Sequence, residues 1–377
     1  MPQHHLRGLV GAALALALAI LPAAAGTGSA GAVTTPSFTN YSPPAPLGRD
    51  VGEPSIGADW ATGNAMFQAG DETLRVAGLA GGSPTWTRVG ATLTSIATLD
   101  PILFTDSGTD RTFASQLAGA CSLMAFSDDD GASWTQNPFG CGIGAAADHQ
   151  TVGGGPFAPG LSGVGYSRAV YYCAQAIVSA ECALSIDGGL TFDPAVPIYT
   201  VAQCNGLRGH IKVGPDGTAY VPNADCGGRA AVVVTANNGV TWSVRPVPGS
   251  TTQDESDPSL AIGSGNTVYY GWQNGTSNAA GSQPYVGVSH DHGQTWTNVQ
   301  DVGAALGIKN VQFPAMVAGD DSRAAFAFLG STTGGDDQAS VSRVHGTCTS
   351  HPRTTAAPRG RPSTRRRATR CSAAASG

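Results

Sequence analysis

Ser127-Asp-Asp-Asp-Gly-Ala-Ser-Trp134, Ser185-Ile-Asp-Gly-Gly-Leu-Thr-Phe192, Thr235-Ala-Asn-Asn-Gly-Val-Thr-Trp242 and Ser289-His-Asp-His-Gly-Gln-Thr-Trp296 are four copies of one pattern. It reads Ser/Thr, x, Asp/Asn, x, Gly, x, Ser/Thr, aromatic, and successive copies start 58, 50 and 54 residues apart. Each position has a physical task. Asp129, Asp187, Asn237 and Asp291 accept backbone N–H groups across a tight turn. Gly131, Gly189, Gly239 and Gly293 allow positive φ, and the aromatic side chain buries a large surface beside the hairpin. Ser83-Pro-Thr-Trp86 reads as a decayed fifth copy.

A second repeat runs out of step with the first. It comprises Glu53-Pro-Ser-Ile, Asp100-Pro-Ile-Leu, His149-Gln-Thr-Val, His210-Ile-Lys-Val, Asp257-Pro-Ser-Leu and Phe313-Pro-Ala-Met, at intervals of 47, 49, 61, 47 and 56 residues. Apolar strands are expected after these starts, at 65–68, 169–175, 219–222, 267–273 and 324–329. A period of about fifty residues of strand, turn and strand suits a four-stranded propeller blade. Six copies predict an all-β, six-bladed β-propeller of antiparallel blades over 49–345, with the last blade incomplete by two outer strands.

Composition agrees. The 377 residues exceed one ordinary compact core, and 52 glycines favour short strands and tight turns over long helices. The net charge of −6 conceals an asymmetry: residues 341–377 hold eight Arg and no acid, whereas 26–340 hold 11 basic against 26 acidic groups. An acidic body argues against a nucleic-acid partner. Arg7, the apolar run from Leu9 to Leu21 and Ala23-Ala-Ala25 form a signal peptide over 1–25, so a secreted protein is expected, with no other membrane span. Residues 26–48 read as a linker or an edge strand, and 346–377 as a disordered basic tail. The tail has a second reading, translation out of frame. One nucleotide missing near Cys348 lets the neighbouring frame encode Trp-His-Leu in place of 348–350 and Asp-Gly-Gly-Thr-Ser-Trp within 354–360, the turn pattern that blade six lacks.

Export permits disulfides, and the repeat scheme pairs neighbours: Cys121 with Cys141, Cys173 with Cys182, and Cys204 with Cys226. The rival, a zinc site, has no Cys-x-x-Cys to support it.

The four turns resemble the Asp-box (BNR) repeats of sialidases and related six-bladed propellers, over roughly residues 50–340. In that family the Asp boxes lie at the blade periphery, which implies that Asp129, Asp187, Asn237 and Asp291 are structural. Chemistry is expected instead where the innermost strands begin, at the channel mouth: Glu53, Asp100, His149, His210 and Asp257, with Arg49, Asp148, Gln150, Arg208, Lys212 and Glu255 nearby. The bland alternative is that these polar groups cap strand ends. The resemblance implies an exo-α-sialidase-type glycoside hydrolase with arginines on the substrate carboxylate, a carboxylic acid at the leaving oxygen and a Tyr nucleophile primed by Glu. Arg49, Arg208, Arg111 and Arg323 are the clamp candidates, Asp100 or Glu53 the acid, and Glu255 or Asp257 the base. His149, His210 and Gln150 would line the substrate pocket. The sequence departs from the family in two places: Gly48-Arg-Asp-Val-Gly-Glu-Pro54 stands where Arg-Ile-Pro is usual, and no Tyr follows Tyr285. Two other readings stay open: a non-catalytic glycan- or protein-binding propeller, and a structural propeller with a metal held by Asp100, Asp257, His149 and His210. No cofactor or metal is assigned, a glycan or glycoconjugate is the expected partner, and a monomer is expected.

Overall fold

The computed structural model describes residues 39–48, 54–96, 100–118, 121–137, 148–206, 208–251, 256–275, 281–335 and 347–354, the last by backbone alone. Strands account for nearly all regular structure. Blade 1 comprises β1 (Ser55–Ala58), β2 (Ala65–Ala69), β3 (Glu72–Ala77) and β4 (Thr85–Arg88); blade 2 comprises β5 (Pro101–Thr105), β6 (Thr112–Ala118), β7 (Cys121–Ser127) and β8 (Thr135–Asn137). Blade 3 holds β9 (Asp148–Gly155), β10 (Ala169–Gln175), β11 (Ser179–Ser185) and β12 (Val196–Thr200), and blade 4 holds β13 (Lys212–Val213), β14 (Ala219–Asn223), β15 (Ala231–Thr235) and β16 (Ser243–Pro246). Blade 5 is β17 (Ser259–Ile262), β18 (Val268–Asn274), β19 (Gln283–Ser289) and β20 (Thr297–Asp301); blade 6 is β21 (Asn310–Ala318), β22 (Arg323–Ser331) and β23 (Thr347–Thr354).

Each sheet is an antiparallel meander in chain order. The first strands are successive neighbours, β1 beside β5, then β9, β13, β17 and β21. The fold is a six-bladed β-propeller. The last blade is incomplete, as expected, but by less: among the described residues it has three strands, because β23 pairs antiparallel with β22 inside the stretch read as tail. A second expectation is narrowed, since residues 39–48 carry a turn and no strand.

Both faces of an interior blade are buried, so its strands read as continuous apolar runs rather than alternating ones. β10 shows how the period-2 geometry divides such a run. Val170 and Tyr172 face Phe113 and Met124 of blade 2, whereas Tyr171 and Cys173 face Ile211 and Val221 of blade 4. Tyr220, Val232, Tyr270 and Trp272 fill the contact between blades 4 and 5, and Tyr269, Val311, Met316 and Phe326 that between blades 5 and 6. Burying each large side chain contributes about 1.5–3 kcal/mol. The outer faces of blades 1 and 6 differ: Ile56 on β1 is 67% exposed, and Phe313 and Val317 on β21 are 61% and 65% exposed.

Disulfides join Cys173 to Cys182 and Cys204 to Cys226, as the repeat scheme expects. Cys173 and Cys182 are register partners on adjacent strands. Cys141 lies outside the described residues, and with it the expected Cys121–Cys141 pairing.

The four repeated turns link the third and fourth strands of blades 2 to 5, away from the axis. In blade 3, Ser185 Oγ donates to Asp187 Oδ1 at 2.8 Å, and the same oxygen accepts the Thr191 amide at 2.9 Å. Thr191 Oγ1 donates to Asp187 Oδ2 at 2.6 Å, and the Gly189 amide donates to Ser185 Oγ at 2.8 Å. Asp129 and Asp291 repeat these bonds, and Asn237 reproduces them with its amide donating to Thr241 Oγ1. The hydrogen bonds from Thr295 hold Asp291 down at about 2.

Candidate functional site

Two glycines bring blades 3, 4 and 5 together at the mouth. A Cβ on Gly153 would stand 2.6 Å from the Ile211 carbonyl oxygen, and one on Gly209 would stand 1.8 Å from that of Pro258. Only glycine lets backbones approach so closely. The result is that His149 at the start of β9, Arg208 and His210 before β13, and Asp257 before β17 converge.

His149 is the hub. Its Nε2 pairs with Asp257 Oδ2 at 2.9 Å, and its backbone N–H donates to Asp100 Oδ2 at 3.3 Å. Its ring stacks on that of His210, with centroids 6.4 Å apart. The backbone at His149 is left-handed, φ 54°, as it is at the equivalent Phe313, φ 52°. A non-glycine residue holds this conformation only when its surroundings enforce it. His149 Nδ1 is buried and meets no partner. Burial alone would lower the imidazolium, but the hydrogen bond and charge of Asp257 outweigh it and raise the pKa of His149 above the ordinary value. His210 lies the other way: burial pushes it down to about 4, so it is neutral, with Nδ1 3.2 Å from Thr151 Oγ1.

Arg208 is 1% exposed. Its Nη2 donates to the Cys173 carbonyl at 3.3 Å, while Nε and Nη1 are buried without partners. Burial lowers its pKa, opposed by Tyr199, Tyr172 and Asp257, but a guanidinium stays cationic. Gln150 is spent inside the molecule. Its Nε2 donates to the Asp100 carbonyl at 2.8 Å, and its Oε1 accepts from Ser115 and Ser122.

The structure separates other candidates from the mouth. Arg111 stacks between Phe126 and Tyr166 and forms a bidentate pair with Asp128, so this expected clamp residue belongs to the blade 2–3 periphery. Arg323 pairs with Asp320 on the surface of blade 6. Glu53, Arg49 and Glu255 lie outside the described residues. Among the described residues, no three of His, Cys, Asp and Glu gather to hold a metal ion, and no helix is long and apolar enough to cross a membrane. Sequence reading passed over the orphaned N–H groups of Arg208 and the Thr151 contact to His210. Position alone offered a signal for Thr151, two residues after His149.

No family model matches the chain, and no curated protein matches it. Solved structures do. A mutant of AofleA from Arthrobotrys oligospora aligns at 12% identity over 80% of this chain and 86% of that one, with a TM-score of 0.51. Aleuria aurantia lectin in complex with Fucα1-6GlcNAc aligns at 12% identity over 79% and 91%, TM-score 0.47. A leech intramolecular trans-sialidase complexed with 2,7-anhydro-Neu5Ac aligns at 12% over 73% and 64%, TM-score 0.48. The likeness is one of fold.

Proposed function

We propose that this chain is a secreted Asp-box propeller of the sialidase-like class that takes a glycan into its channel mouth and hydrolyses it. The observation that carries this reading is the convergence of Asp100, His149, His210, Asp257 and Arg208 from consecutive blades onto one end of the channel. The Asp-box turns support the family, and the two disulfides fit an exported protein. In this reading Asp100 and Asp257 are the carboxylates at the sugar, Asp257 being oriented by His149, and hydroxyl recognition falls to the imidazoles. Glu53, Glu255 and Arg49 complete the set proposed for the site.

A second reading, a glycan-binding propeller without catalysis, is favoured by one observation: Arg111 and Arg323 are held in ion pairs elsewhere, which leaves Arg208 as the described arginine at the mouth. Release of fluorophore from a fluorogenic sialoside separates the two. Hydrolysis lost in Asp257→Asn and Asp100→Asn establishes the first reading. Glycan retention without release establishes the second, and hydrolysis undiminished in both variants rejects the site.

A further inference from the structure

At the opposite end of the strands from the mouth, a second pair of acids joins blade 1 to blade 2. Asp59 follows β1 in the turn to β2, and Asp130 lies in the turn between β7 and β8. They are only 5% and 7% exposed. Donors surround them unevenly. Asp59 Oδ1 accepts the amides of Ala61 and Thr62 at 2.7 and 2.8 Å. Asp130 Oδ2 accepts Thr62 Oγ1 at 3.0 Å and Asn64 Nδ2 at 2.7 Å. Asp130 Oδ1 is buried and meets no donor, while Thr62, whose amide donates to Asp59 and whose hydroxyl donates to Asp130, holds the two carboxyls side by side.

Two ionised carboxylates disfavour one another at such a buried site, because their repulsion adds to the desolvation of each. One proton resolves both problems. Placed on Asp130 Oδ1 and donated to Asp59, it supplies the missing donor and leaves one negative charge on Asp59, solvated by the amides of Ala61 and Thr62, while Thr62 Oγ1 and Asn64 Nδ2 satisfy the other oxygen of the neutral Asp130. We propose that Asp130 serves as a neutral carboxylic acid that donates to Asp59 and clasps blade 1 to blade 2, and that raising the pH releases this clasp.

The neighbouring charges leave the proton in place. Arg75 on β3 directs Nη1 to the Asp130 carbonyl oxygen at 3.5 Å, not to the carboxyl group. Asp129 is turned to Ser127 and Ser133, and Asp128 to Arg111. The directions of titration agree with the geometry. Burial raises Asp130, aided by the Asp59 charge and opposed by Asn64. For Asp59 burial acts upwards as well, but the amides of Thr62 and Ala61 and the bond from Asp130 outweigh it and lower the group. A raised carboxyl stabilises the fold at low pH and loses that contribution as pH rises through its folded value. A lowered one loses its contribution as pH falls through its own. The clasp is therefore strongest between the two folded values, above that of Asp59 and below that of Asp130.

Thermal melts of the full chain from acid to alkaline pH test this against Asp130→Asn, whose amide is a permanent donor with no proton to lose. Wild type is expected to fall by about 2–4 °C relative to the variant as pH rises. Infrared spectra of wild type provide a reading independent of variant folding: a protonated-carboxyl band that persists above the range of ordinary Asp and Glu and disappears on further alkalinisation. Parallel melting curves, absence of that band, or abolition of the alkaline loss by added calcium would each overturn the proposal, the last by showing that a cation occupies the pair.

Discussion

His149 is held above its ordinary pKa chiefly by one neighbour, with a smaller contribution from Asp100. Its pKa is raised because Asp257 at 2.9 Å overcomes burial, so the pair stabilises the fold fully below the ordinary imidazole value of 6.5 and loses that contribution as pH rises through the folded one. Asp257→Asn removes the opposing charge and leaves burial dominant. The His149 titration followed by imidazole NMR is then expected to fall below 6.5, with His210 remaining neutral; an unshifted titration would mean that Asp257 does not govern His149. The residue scale is also where sequence reading reached its limit. The inner-strand starts are legible because a polar residue recurs at a position that core packing would make apolar. The fate of Arg111 is not, because its partners Asp128, Gly188 and Tyr166 reach it only through tertiary folding. Nor is Gln150, whose neighbours in sequence are at the mouth while its own amide is buried. The Asp59–Asp130 pair left no trace, since one member sits in an unpatterned turn.

At the scale of the element, the repeated turn is a self-contained hydrogen-bonding unit, and that is why it reads so clearly from sequence: each partner lies within four residues of the central Asp or Asn. Asp187→Ala strips the Ser185, Thr191 amide and Thr191 hydroxyl bonds together. The expected cost is about 1–3 kcal/mol in denaturant unfolding, with the mouth histidines unmoved in their titrations. A cost near zero would show that the turn geometry is enforced by the flanking strands alone. The third strand of blade 6 illustrates the opposite case. β23 has no apolar pattern, and its pairing with β22 is carried by backbone groups that side-chain periodicity does not register.

For the whole molecule, six repeats gave the blade count, and the buried faces of β10 explain why strands that pack on both sides look uniformly apolar. The state of the faces between blades 6 and 1 was harder to foresee, because it depends on the last blade, and there Ile56, Phe313 and Val317 remain exposed. The mouth is built by blades 2 to 5, remote in sequence from that seam, so its geometry depends on glycine-mediated contacts such as those of Gly153 and Gly209. The most direct test of the account is a glycan array probed in parallel with wild type and Asp257→Asn, both confirmed as folded by circular dichroism. Wild type is expected to engage at least one glycan class, read as retention or as loss of the terminal sugar, with the apparent affinity reduced about tenfold or more in the variant, the loss of one charge-assisted contact. Equal behaviour of both proteins, or a wild type that neither retains nor cleaves any glycan, would contradict it.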